Sequence, residues 1–311
     1  MLFNDKLHEI SAQIIPEFDR LFDTIIENQV HFGDLLLIHE NGFYYPEIHN
    51  QGTSKKFSPY MIGPSDEGFS AYTHYEFIHN YRTQAVVDFS HAEYLDNLTR
   101  KATDTAEELQ HIKNVEEQSI HLEMLIYLKI WEADLFIKRY YQVVRLLEGL
   151  SYDWHFKIAE SNRDEDATGK RHVIIRNKIR DKFQAEFLTI YQSFKTAYLT
   201  QVRNSIAHSK FSFHERNIQL GNQIQSDPAS QLNGVSFDEW INMFHHTLIL
   251  YNEQLRFIQK ARDYYSEMVT NTDNICEVMV TRQDPEERVE YHSLKYRPDF
   301  DRWHWLSQDD E

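Results

Sequence analysis

Arg203 and His208 stand five residues apart in the segment RNSIAH, with Asn204 four residues before the histidine. Each of the three side chains brings a different capability. An imidazole has an unperturbed pKa near neutrality and can give or take a proton. A guanidinium offers a planar fork of donors to a phosphate or carboxylate, and a carboxamide can hold either group in place. On a helix, Asn204 and His208 share one face, while Arg203 lies about 140° round from His208 and reaches back with its long side chain. The trio can therefore converge on one small anionic group. The same residues also admit a structural role, in which Arg203 pairs with a carboxylate and His208 complements the dipole at a helix C-terminus. Spacing alone does not choose, because 17 Arg and 17 His in 311 residues give about one Arg-x4-His pair by chance.

The surrounding elements supply the context. Phe183, Phe187, Ile190, Tyr191, Phe194, Tyr198, Val202 and Ile206 keep three-and-four spacing, which predicts one amphipathic helix ending in the motif. A second long helix is predicted from Glu107 to Leu150, free of proline and of glycine until Gly149, with Leu122, Leu125, Ile126, Leu135, Phe136, Tyr140, Val143, Val144 and Leu147 on its apolar face. Between the two, residues 160–170 (ESNRDEDATGK) read as an exposed loop. A third helix starts at the capping-box signature SFDE, Ser236 to Glu239, and carries Trp240, Phe244, Leu248, Tyr251, Leu255 and Ile258. Upstream, Leu7, Ile10, Ile14, Phe18, Leu21 and Ile25 mark a helix that Pro16 is expected to split or kink. Glycines 33, 42, 52, 63 and 68, with Pro46, Pro59 and Pro64, predict a long irregular connection, followed by a helix over 71–82. ICEVMV and VEYHSLKY, separated by RQDPEER, predict a C-terminal hairpin.

The predicted organisation is thus mainly α: an N-terminal helical extension with a long loop (1–100), a helical domain (101–271) and a short C-terminal β-hairpin and tail (272–311). Asp5, Lys6, His8 and Glu9 break up the first residues, and no 18-residue uncharged apolar run follows. Neither a signal peptide nor a membrane span is expected, then. With one cysteine, Cys276, no intrachain disulfide can form, and a reducing cytoplasm fits. The net charge of −17 argues against a general nucleic-acid-binding body. The charge is uneven, however. Residues 170–216 hold ten Lys or Arg against three acids, a balance of +7, leaving 22 basic against 46 acidic residues elsewhere. Such an island could meet a polyanion locally, with Arg176, Arg180 and Lys210 as contact residues, or be a solvated face paired with acidic neighbours.

RNSIAH resembles the motif of the HEPN superfamily, whose hallmark is an arginine, a polar residue, several variable positions and a histidine at a helix end. The likeness covers about 107–260 and leaves the first hundred and last forty residues unexplained. It implies an up-down helical bundle and a metal-independent endoribonuclease needing no cofactor, of the kind found in toxin–antitoxin, phage-defence and RNA-processing systems. It also implies a homodimer, an RNA substrate and a restraining antitoxin or regulatory protein. Other members of that superfamily are non-catalytic modules that bind RNA, a nucleotide or a protein. Metal-free RNA cleavage needs a base for the 2′-hydroxyl proton, an acid for the leaving 5′-oxygen and a cation at the phosphate. One motif brings one imidazole, and two motifs across a two-fold axis bring two. The expected roles are His208 as general base or acid, Arg203 as transition-state stabiliser and Asn204 as positioning residue, yielding a 2′,3′-cyclic phosphate. The resemblance further implies an accessory polar residue from the earlier helix, for which Glu132 and Asp134 are the candidates; either also admits the plain role of a solvent-facing carboxylate on an amphipathic helix.

Two Glu-x-x-His pairs, Glu76/His79 and Glu108/His111, suggest a di-iron bundle, but about 30 residues between them leave poor room for the extra ligand-bearing helix that fold requires. Neighbouring His245 and His246 point in different directions on a helix, which suits one buried, hydrogen-bonded ring better than a metal site. Metalloprotease, P-loop, hydrolase-elbow and zinc-finger spacings do not occur.

Overall fold

The computed structural model describes residues 1–46, 59–63, 77–79, 81, 89–99, 106–165, 167–227, 230–283 and 286–306. The expected helix over 71–82 lies largely outside them. The chain is mainly helical with small antiparallel sheets. It divides into two compact units, one made of Met1–Glu17, Ser70–Phe136 and Gln184–Glu253, the other of Phe18–Phe69, Ile137–Phe183 and Gln254–Glu311.

Helix α1 (Asn4–Asn28) continues through Pro16 instead of splitting there. Proline removes one backbone hydrogen bond. Ile14 and Phe18 on either side of it are buried, and burying such side chains is worth about 1.5–3 kcal/mol each. The described part of the glycine- and proline-rich stretch takes regular structure, too. It forms α2 (Asp34–His39), with Leu35, Leu36, Leu37 and Ile38 buried, and the two-residue strands β1 (Phe43–Tyr44) and β2 (Tyr60–Met61).

The first unit holds the RNSIAH segment. Helix α3 (His91–Thr99) begins at a capping box of Ser90 and Glu93. The predicted long helix is interrupted at Ala133, giving α4 (Ala106–Glu132) and α5 (Asp134–Leu147), of which only the start of α5 is in this unit. The helix predicted to end in the motif is likewise broken, into α6 (Leu188–Ala197) and α7 (Thr200–Ala207), because Tyr198 and Leu199 take extended backbone. The apolar stripe survives the break: Phe187, Ile190, Phe194, Tyr198, Val202 and Ile206 are all buried. Tyr198 packs on Trp131, ring centroids 4.8 Å apart. A three-stranded antiparallel sheet follows, β3 (Phe211–His214), β4 (Asn217–Leu220) and β5 (Gly234–Ser236). Helix α8 (Phe237–Met268) starts at the predicted capping box, with the Ser236 N–H donating to Glu239 Oε2 at 2.7 Å and the Glu239 N–H to Ser236 Oγ at 3.2 Å.

In the second unit, residues 171–183 are helical but irregular, passing from an α turn through a π-helical stretch to a 3-10 turn. The expected exposed loop lies just before it. The C-terminal hairpin forms as β6 (Ile275–Arg282) and β7 (Arg288–Arg297), and β8 (Arg302–Trp305) adds a third strand. Trp154, buried, donates its indole N–H to the Met279 carbonyl at 3.0 Å.

Candidate functional site

Helix α7 is only eight residues long, too short to be stable by local propensity alone, and both of its ends are tied to neighbours. Gln201, buried near its start, donates Nε2 to the Leu232 carbonyl at 2.8 Å and accepts the Leu232 N–H at 2.9 Å. The Asn222 side chain donates to the Gln201 carbonyl at 2.9 Å. At the far end, Ser205 Oγ donates to the Lys210 carbonyl, which also accepts the Gly221 N–H at 2.7 Å, and the Lys210 N–H returns to the Ser205 carbonyl at 2.8 Å. The chain turns between them through Ser209, whose φ of 53° is left-handed. His208 is thereby held at the last turn of the helix, its N–H on the Asn204 carbonyl at 3.1 Å.

Arg203 is half-buried and forms an ion pair with Glu132, the last residue of α4. Its Nη1 also donates to Asn204 Oδ1 at 2.8 Å. A partly exposed ion pair contributes on the order of 1 kcal/mol or less to stability, so the pair's main effect is to set the direction of the guanidinium. Below it lies Tyr127, whose hydroxyl is wholly buried. Burial pushes that hydroxyl's ionisation well above the tyrosine range, with Tyr198 adding to the effect and the Leu199 N–H and the charge of Arg203 opposing it. The His208 side chain differs from these groups, being exposed and without a hydrogen-bond or ion-pair partner among the described residues.

The structure thus joins Arg203, Asn204 and Glu132 by direct contacts and sets His208 one helical turn beyond Asn204 on the same short helix. Asp134 is exposed in the first turn of α5, on the other side of the Ala133 break from Glu132. The basic island does not fold as one element. Arg176 and Arg180 lie in the second unit, in the irregular helical stretch, whereas Lys210 follows the motif in the first. Several island charges are matched by acids: Arg180 with Asp181, Lys182 with Glu148, and Arg216 with Glu116 and Asp238. Lys210 is exposed and has no such acid among the described residues.

Among the described residues no group of three or more His, Cys, Asp or Glu could hold a metal ion. The Glu76, Glu108 and His111 side chains lie outside those residues. His245 and His246 diverge. His245 is fully buried, with Nδ1 donating to the Ile241 carbonyl at 2.6 Å and Nε2 accepting the Phe3 N–H at 3.0 Å. His246 Nδ1 meets Ser193 Oγ at 3.2 Å. Burial lowers both imidazoles to about 4. No helix among the described residues is long and apolar enough to cross a membrane.

The three-stranded sheet beside the motif is absent from the elements predicted above. Its signal is present, in Phe211 and Phe213 alternating with Ser212 and His214, and in Ile218 and Leu220 alternating with Asn217 and Gln219. No protein-family model matches the chain, and comparison with curated proteins and with solved structures likewise gives no match.

Proposed function

We propose that the protein is a metal-independent endoribonuclease of the HEPN type, with a HEPN-like helical bundle carrying the site. The observation that carries this reading is the contrast within one short helix. Arg203 is oriented by Glu132 and Asn204, while the imidazole of His208, at the helix end, is exposed and engaged by no described neighbour. In this reading the RNA phosphate meets the guanidinium, whose planar fork can bridge two of its oxygens. His208 takes the proton of the 2′-hydroxyl, the 2′-oxygen attacks phosphorus, and the 5′-oxygen leaves with a proton supplied by a second imidazole. One motif brings one imidazole, so the site is completed by His208 of a second copy. The protein is then a toxin-like or defence effector whose activity a partner protein restrains.

A second reading has its own support. Because Arg203 already holds two side-chain acceptors, the same cluster can serve as a structural clasp in a non-catalytic module that binds RNA, a nucleotide or a protein.

Incubation of purified protein with total RNA in EDTA separates the two. The ribonuclease reading expects cleavage that survives chelation, falls as the protein is diluted below its dimerisation range, and disappears in Arg203→Ala and His208→Ala. Intact RNA, bound in a salt-dependent way, establishes the binding module instead.

A further inference from the structure

An open cleft of about 810 Å³ begins at Ser209 and Lys210, immediately after His208, and extends over the sheet β3–β5. The strands alternate, so Ile218, Leu220 and Val235 are buried while Ser212, Asn217 and Gln219 stand on the exposed face. Ser209, Lys210, Ser212, Asn217, Gln219 and Asn233 all line this cleft, and none of their side chains has a hydrogen-bond partner among the described residues. The cleft's one carboxylate, Glu239, is occupied by the N–H and Oγ of Ser236 in the capping box of α8. In a chain of net charge −17, a concave surface whose lining holds one exposed ammonium, one carboxylate engaged in a helix cap and several neutral donors and acceptors is out of keeping with its surroundings.

We infer that this cleft is the substrate track of the proposed ribonuclease, binding single-stranded RNA on one side of the scissile phosphate; the inference rests on that reading of the motif. Carboxamides and hydroxyls can both give and accept hydrogen bonds, which suits the Watson–Crick edges of unpaired bases and the 2′-hydroxyl. In a duplex those edges are engaged by the opposite strand. Lys210, at the mouth beside the motif, meets a single backbone phosphate. Affinity should then depend only weakly on salt, and recognition should come from bases more than from charge.

The test uses the full chain carrying His208→Ala, so that binding is read without cleavage, and fluorescence anisotropy of 5′-labelled oligoadenylate, oligocytidylate and oligouridylate, with an oligoadenylate–oligouridylate duplex alongside. At least one single strand is expected to bind roughly tenfold or more tightly than the duplex. Adding Ser212→Ala, Asn217→Ala and Gln219→Ala together is expected to weaken that strand by roughly tenfold or more, one or more such hydrogen bonds being lost. Adding Lys210→Ala alone lowers the slope of log affinity against log salt by about 0.7. These are exposed positions, and an unchanged circular dichroism melt verifies that each variant is folded. Duplex binding as tight as single-strand binding, or a triple variant that binds like its parent, overturns the inference. If the wild-type chain cleaves RNA while the triple variant still binds like its parent, the cleft assignment has failed and the ribonuclease has not. If the cleft binds single strands as expected but the wild type cuts nothing, catalysis has failed and the track has not.

Discussion

His208 and His245 are both histidines on helices of the first unit, and the molecule treats them oppositely. His245 is sealed in, both ring nitrogens satisfied, and burial holds it neutral down to about 4. His208 sits at a helix end, exposed, with no described partner for its ring. Arg203, five residues earlier on the same helix, is positioned by Glu132 and Asn204. A histidine with both ring nitrogens bonded serves the fold, whereas one left open on the same short helix as an oriented guanidinium is the one the proposed chemistry draws on.

That contrast breaks most visibly under substitution. His208→Ala should cut RNA cleavage by about 100-fold to 10,000-fold, as loss of a general acid–base group does, and, being on the surface, should change folding stability by less than about 0.5 kcal/mol. Parallel cleavage assays and urea titrations check both halves. His245→Ala should do the reverse. It opens a cavity and strands the Phe3 N–H, costing roughly 2–4 kcal/mol, with activity per folded molecule retained. A stable but inactive His245→Ala would undo the comparison.

The pH dependence sharpens it further, and extends it to the second unit. His245 and His246 titrate near 4 when folded against an ordinary 6.5, so the unfolded chain binds more protons between those values. Their contribution is fully present above about 6.5 and is lost as pH falls toward 4. Asp34 works in the opposite sense. Burial pushes its carboxyl up to about 6 from 3.8, although the His31 N–H donates to Oδ2 at 3.1 Å. Here the folded state binds the extra proton, and stability falls as pH rises from about 4 to 6. Asp34→Asn should therefore stabilise the protein by about 1–3 kcal/mol at neutral pH, and by progressively less as pH falls toward 4. Urea midpoints measured at several pH values decide this, and a variant no more stable than its parent at neutral pH would contradict it. The smallest effect belongs to the cap of α8. Ser236→Ala removes both Oγ hydrogen bonds of the capping box and should cost about 1 kcal/mol, seen as a lower melting temperature.

How far the sequence could be read follows from what periodicity measures. The stripe from Phe183 to Ile206 marked a buried face, and those side chains are buried, with Tyr191 only partly covered. Periodicity does not report continuity, and neither Ala133 nor Tyr198–Leu199 carries a glycine or proline to announce a break. The capping box at Ser236 and the C-terminal hairpin were legible because each has a local chemical signature. The β3–β4 hairpin has the alternation of its strands but lacked a turn signature. It turns through Glu215 at φ 53°, a position where asparagine or glycine would have advertised the turn. Helix α2 was hidden by the glycines and prolines around it. At the candidate site, Glu132 and Asp134 were indistinguishable two residues apart in sequence. In the structure Glu132, the last residue of α4, meets Arg203, whereas Asp134, past the break at Ala133, is exposed.

The chemistry of the cleaved RNA ends decides whether Arg203 and His208 carry out metal-free transesterification. Protein incubated with a defined RNA in EDTA should leave 2′,3′-cyclic phosphate and 5′-hydroxyl termini, with no such products from Arg203→Ala or His208→Ala. Intact RNA, or cleavage that leaves 3′-hydroxyl and 5′-phosphate termini, would contradict it.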